Sequence, residues 1–124
     1  MKNETPNLTD AELEIMHVVW ELDNATVREV HERLNQRRAL AYTTVMTMMN
    51  ILEEKGHLTR NKQGRAYHYA PVRPKSQVIS GMVDDFVGKV FEGSARPLVL
   101  GLVEERKLSE NDLEEIARLI KEVE

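Results

Sequence analysis

Thr43, Thr47 and Asn50 recur at helical spacing, with Thr44 and Met46 beside them, in a stretch that carries no charged residue from Ala41 to Leu52. At 100° per residue, Thr43, Thr47, Asn50 and Glu54 fall on one face of a helix, while Val45, Met48, Met49 and Leu52 fall on the other. Thr and Asn are mediocre helix formers, and an outward face selected for stability alone would favour Glu, Lys or Gln. Hydroxyls, a carboxamide and a thioether without charge suit the edges of base pairs. Asn can bond adenine through two atoms, worth about 1–3 kcal/mol of discrimination, and Thr can bond an edge or pack its methyl on thymine. The chemistry this pattern points to is base readout in a major groove; the bland alternative is a solvated helix face.

Readout needs phosphate anchors, and the helix face supplies no cation. Arg28, Arg37 and Arg38 precede the helix, and Arg60, Lys62 and Arg65 follow it. Tyr42 at the helix start can give its hydroxyl to a phosphate, and the amino end of a helix itself attracts one. The formal net charge of -4 argues weakly against nucleic acid, but its distribution reverses the argument. Residues 24–75 hold ten Lys/Arg against four acids, and residues 76–124 hold six against eleven. A basic middle and an acidic tail imply two jobs.

Bond-making chemistry finds little footing. His31-Glu32 does not begin an H-E-x-x-H motif, because position 35 is Asn, and His17, His31, His57 and His68 show no ligand spacing. Asp84-Asp85 and Glu104-Glu105 are adjacent pairs whose side chains diverge on a helix. Cysteine is absent, which excludes disulfides, thiolate ligands and thiol nucleophiles. The expectation is therefore no metal, no cofactor and no enzymatic activity.

The elements that must position these residues are legible. Thr9-Asp10-Ala11-Glu12 is a capping box opening a helix whose apolar arc (Leu13, Ile15, Met16, Val18, Val19, Trp20, Leu22) is wide enough to pack on several neighbours. Thr26-Val27-Arg28-Glu29 opens a second helix to about Arg37, with Val27, Val30 and Leu34 on its apolar face. The short link 38–41 can turn sharply into the third helix, about 42–55, which Gly56 stops. Leu58–Lys62 and Arg65–Tyr69 read as strands around a Gln63-Gly64 turn, and Pro71 and Pro74 mark a boundary. Tyr67 and Tyr69 alternate to one strand face, so at least one should fill the core.

Beyond Lys75 three amphipathic helices are predicted. Ile79, Met82, Val83, Phe86 and Val90 form one stripe, and Leu98, Val99, Leu102 and Val103 follow Pro97. Leu113, Ile116, Leu119, Ile120 and Val123 follow a cap at Ser109. About 50 residues bury too little surface to stand alone, so pairing with a second copy is the economical solution. The stripe residues Ile79, Met82, Val83, Phe86, Val90, Leu98, Leu102, Leu113, Ile116 and Ile120 are the candidate dimer contacts.

The sequence thus predicts a mostly α protein with a small β wing. Residues 1–74 form a winged helix-turn-helix DNA-binding domain and 75–124 a three-helix dimerisation domain. At 41% hydrophobic and 31% charged residues the chain should fold rather than stay disordered. No apolar run approaches the ~20 residues of a membrane span. Met1-Lys2-Asn3-Glu4-Thr5 has no apolar signal core, so a cytoplasmic protein without membrane contact is expected. The rival reading is a winged-helix module that binds protein through the same surface.

These residues support a closer comparison. The chain resembles the penicillinase/methicillin-resistance repressor family, which also contains copper-responsive repressors. The resemblance rests on Leu8-Thr9-Asp10-Ala11-Glu12 with Met16 and Trp20, on Thr26-Val27-Arg28-Glu29-Val30, and on Leu40-Ala41-Tyr42-Thr43-Thr44-Val45-Met46-Thr47. Leu52-Glu53-Glu54-Lys55-Gly56, the Tyr67-His68-Tyr69 strand and Leu98-Val99-Leu100 extend it to essentially the whole chain. It implies a homodimer of two winged helices that binds a two-fold symmetric operator and so blocks transcription; the candidate DNA contacts, read from the residues themselves, are Arg28, Arg38, Tyr42, Thr43, Thr44, Met46, Thr47, Asn50, Arg60, Lys62 and Arg65. In lactam-responsive members a membrane sensor leads a regulatory protease to cut the tail. The scissile Asn-Phe pair of those members falls on Gly101-Leu102 here, a departure from their pattern, so the resemblance does not carry their induction route over to this chain. Copper-responsive members carry a tail cysteine cluster that this chain lacks, so the inducer stays open.

Overall fold

A computed structural model describes residues 7–123; the amino end read above as lacking a signal core lies outside them. Three helices come first: α1 (Asp10–Leu22), α2 (Val27–Asn35) and α3 (Tyr42–Glu54). A hairpin of β1 (Leu58–Gln63) and β2 (Ala66–Pro71) follows, then α4 (Lys75–Val90), α5 (Arg96–Glu104) and α6 (Glu110–Val123). The chain divides into two compact units, with the division after Ser80, inside α4.

Local chemistry sets the first unit's boundaries. At α1, Glu12 N–H donates to Thr9 Oγ1 at 3.1 Å and Thr9 N–H donates to Glu12 Oε1 at 2.9 Å; Thr26 and Glu29 repeat the arrangement at α2 with the same distances. Each pair satisfies amides that a helix start otherwise leaves open. At the far end of α3, Gly56 takes φ +87°, His57 N–H reaches Leu52 O at 2.9 Å and Gly56 N–H reaches Glu53 O at 3.1 Å. That is a Schellman motif, and it needs a residue that tolerates the left-handed region.

The hairpin turns one residue later than the sequence suggested. Gln63 pairs with Ala66, so Gly64-Arg65 forms the loop and the strands extend to Gln63 and Pro71. Gly64 has φ +65° and Arg65 does not share a positive φ, the pattern of a type II′ turn with glycine first. Expecting glycine in the second turn position accounts for the slip. The register places Arg60 opposite Tyr69 and Lys62 opposite Tyr67.

One core organises this unit. Ile15, Met16, Val18 and Val19 of α1 meet Val27, Val30 and Leu34 of α2 and Val45, Met49 and Leu52 of α3, with Leu58 and Tyr69 closing from the hairpin. Met48, expected in the core, is partly buried and packs against its edge. Tyr69 is 2% exposed and Tyr67 44%, so one of the two aromatics fills the core. Tyr69 N–H donates to Ala25 O at 2.8 Å and Ala25 N–H donates back to Tyr69 O at 2.9 Å. The α1–α2 turn thereby becomes a one-residue third strand on the hairpin. Trp20 Nε1 donates to Arg73 O at 3.2 Å and pins the segment after the wing.

A link with no local signature crosses the core's rim. Lys55 Nζ sits 2.9 Å from both carboxylate oxygens of Glu12, tying the end of α3 to the start of α1. Burial pushes the Glu12 carboxyl up, but the Thr9 amide and Lys55 together outweigh burial and hold it below its ordinary value.

The second unit has a different character. No side chain of α4, α5 or α6 is fully buried. Phe86 and Phe91 meet edge to face at 5.8 Å. Ser109 and Asp112 cap α6 reciprocally at 2.9 and 3.0 Å, and the same bonds hold the Asp112 carboxyl below its usual range. Val83, Phe86, Val90, Leu113, Ile116 and Ile120 stay exposed.

Candidate nucleic-acid interface

Burying Val45, Met49 and Leu52 completely fixes the rotation of α3, so the opposite face is turned out by necessity. Thr43, Thr44, Met46 and Thr47 are all exposed on it, with Ile51 at its margin. The face is apolar and polar but uncharged until Glu54. It presents two faces of one chemistry: hydroxyls that donate or accept, and methyls that pack on thymine.

The start of α3 is prepared differently from those of α1 and α2. Its N-cap is Ala41, which makes no side-chain capping bond. Thr44 N–H and Val45 N–H both turn back to Ala41 O, so the amides before them are the open ones. Partial positive charge collects there, suited to a phosphate oxygen. Tyr42 stands at this point, 45% exposed, its ring 5.6 Å from that of His31 in edge geometry. His31 Nε2 lies 2.7 Å from Leu40 O, and since a carbonyl only accepts, that nitrogen carries the proton. The histidine thus holds the α2–α3 link and the tyrosine in register. Periodicity gave no sign of this arrangement, because it joins residues nine and eleven positions apart across a turn.

The cations divide into held and open. Arg28 pairs with Glu32 at 3.2 Å, one turn on, with both side chains largely in solvent. Arg38 Nη2 donates to Glu14 at 2.7 Å, and that bond holds the Glu14 carboxyl below its usual range. The Arg28 pair, in solvent on both sides, contributes little to stability, while the Arg38 pair has its carboxylate half-buried. Lys62 and Arg65 are exposed near the tip of the hairpin and form no ion pair among the described residues.

Asn50 and Arg60 are placed otherwise than spacing alone suggested. Asn50 is half-buried, and its Oδ1 accepts from Tyr69 Oη at 2.7 Å and from Arg60 Nη1 at 3.2 Å. The Arg60 guanidinium also lies over the Tyr67 ring, 4.5 Å from its centroid. The seam between α3 and the wing is therefore a polar joint, and Arg60 sits beside the helix instead of reaching out along the strand. Among the described residues no group of three or more His, Asp or Glu side chains gathers to hold a metal ion, and no helix is long and apolar enough to cross a membrane. Gly101 and Leu102 lie within α5, both half-buried.

Comparison with known proteins bears on this geometry. The penicillinase repressor family model matches residues 8–122. The penicillinase repressor of Bacillus licheniformis is 30% identical over 117 residues, covering 94% of this chain and 91% of that protein. The DNA-binding domain of the repressor BlaI superposes with a TM-score of 0.54 at 36% identity, over 61% of this chain and 92% of that one. The monomeric form of Bacillus licheniformis BlaI, solved in complex with the blaP half-operator, superposes with a TM-score of 0.52 at 34% identity, over 59% and 89%.

Proposed function

Because the chain belongs to the penicillinase repressor family, we propose that it is a transcriptional repressor that binds a palindromic DNA operator as a homodimer in the cytoplasm. Residues 1–74 read the DNA and residues 75–124 join the two copies. The observation that carries the reading is the outward face of α3: Thr43, Thr44, Met46 and Thr47 exposed and uncharged on a helix whose reverse is locked in the core. The relative captured with a half-operator has the same winged unit, which supports the assignment.

In this reading α3 enters the major groove, Thr43 and Thr47 meet base edges, and the open amides at Tyr42 receive a phosphate. Arg28 and Arg38 exchange their carboxylate partners for backbone phosphates, and Lys62 and Arg65 track the duplex from the wing. Each subunit alone makes few base contacts, so two linked copies gain through effective concentration. Repression follows from occupancy of the operator, and weakening the tail contact releases DNA without altering the reading face. Release by a regulatory protease at Gly101-Leu102 would require α5 to open locally first, since both residues lie inside that helix.

Selection from a random duplex pool tests the proposal. The expected product is an inverted repeat with half-sites about 34 Å apart, or a multiple of that. Affinity for it should fall steeply between low and moderate salt, because released counterions drive binding. A chain that selects no sequence and shows no salt dependence binds protein rather than DNA through this face.

A further inference from the structure

We infer that Asn50 reads DNA as a donor only, recognising any base that offers an acceptor and rejecting cytosine, instead of pairing with adenine through two atoms. This rests on the reading of α3 as the helix in the groove.

The carboxamide orientation follows from its neighbours. Arg60 Nη1 can only donate, so the Asn50 atom 3.2 Å away must be the oxygen. That same oxygen lies 2.7 Å from Tyr69 Oη, so the hydroxyl donates to it as well. A carboxamide oxygen has two lone pairs, and both are engaged. Only the two Nδ2 hydrogens remain to meet a base.

The joint is not easily vacated. Tyr69 is buried and its N–H and C=O are both held by Ala25, so the ring cannot carry its hydroxyl oxygen away from Asn50 to a more distant acceptor without disturbing the core. Rotating Oδ1 toward an adenine amino group would strand that donor, and an unpaired buried donor is penalised about as heavily as a new base contact is rewarded. Arg60 is restrained in turn by the Tyr67 ring.

The consequence for sequence preference is specific. Bidentate Asn selects adenine because guanine O6 would oppose Oδ1. A donor alone can donate to the N7 of adenine or guanine, to guanine O6 or to thymine O4. At the base facing Asn50, cytosine offers only its N4 donor.

The test is selection from duplexes randomised across the half-site, using the full-length wild type, Asn50→Asp and Tyr69→Phe, with thermal melts to show that each folds. Asn50→Asp keeps an acceptor for Tyr69 and Arg60 while replacing the outward donor. One base position should tolerate adenine, guanine and thymine within about threefold in the wild type and disfavour cytosine by about tenfold. Asn50→Asp should invert that preference toward cytosine. Tyr69→Phe, which frees one lone pair, should narrow the position toward adenine. A wild-type preference for adenine over guanine of tenfold or more at the position altered by Asn50→Asp overturns the inference, as does an unchanged profile in Asn50→Asp. Either result leaves a selected operator and hence the wider reading intact, whereas a wild type that selects no sequence brings down both.

Discussion

The two units of this chain solve the burial problem in opposite ways. In the first, three helices and a hairpin remove Val19, Val30, Leu34, Val45, Met49 and Leu52 wholly from solvent around a single core. In the second, α4, α5 and α6 bury no side chain fully, and Phe86, Leu119 and Ile120 are about half exposed. Soluble monomers seldom leave so many large apolar side chains of neighbouring helices in water. The difference teaches that the first unit closes its core within one chain, while the second leaves apolar side chains in solvent, which the proposed pairing with a second copy would cover.

The largest effect should come from spoiling the tail. Leu113→Asp with Ile116→Asp should convert a dimer to a monomer in sedimentation and weaken binding to the full operator by about 10³-fold, while half-site binding stays within about threefold. A protein that remains dimeric breaks the comparison. Next in size, Met49→Ala should cost the first unit about 2–5 kcal/mol in denaturant titration, because the cavity cannot close against fixed neighbours. Its stability loss should not depend on protein concentration, whereas truncation of Ile116 to Ala should give a loss that grows as concentration rises through the range in which the wild type dimerises.

A smaller effect is expected at the Glu12–Lys55 link. Glu12→Gln should lower stability by about 1–3 kcal/mol at neutral pH, since it leaves the Lys55 ammonium without its charge partner. The pH dependence has a definite sign. The Glu12 carboxyl is held below its ordinary 4.5 in the fold, so the unfolded chain binds the proton more readily. Its contribution is full above about pH 4.5 and lost as pH falls through the lowered folded value. Stability profiles of wild type and Glu12→Gln should therefore converge in acid, and parallel profiles would count against the link. Smallest of all, Lys62→Ala should weaken every duplex sequence alike, by a few fold, and reduce the salt slope by about one. A change confined to one sequence would move Lys62 from the backbone to a base.

How much of this was readable beforehand follows the range of the interactions. Capping boxes at Thr9 and Thr26 and the glycine stop at Gly56 are decided within four residues, and each lies where the pattern put it. The faces of α3 were legible for the same reason, with Val45, Met49 and Leu52 inward and Thr43 and Thr47 outward. The hairpin loop moved by one residue because glycine suits either turn position and the register decides. Glu12 was legible as half of a capping box but not as the anchor for Lys55, 43 residues on. Asn50 was legible as an outward polar residue; that its oxygen is spoken for depends on Tyr69 arriving from β2, 19 residues on. Helix periodicity reports which way a side chain faces, and is silent about what meets it there.

The bare Ala41 at the head of α3 sets service against durability. Asp in its place would lend the resting molecule up to about 2 kcal/mol by supplying the missing hydrogen-bond acceptor, yet under the proposed function that carboxylate would take the place of a phosphate and repel the duplex. On the proposed reading of α3 the free protein would become hardier and the repressor worse, since the uncapped amides at Ala41 are what a duplex phosphate would complete.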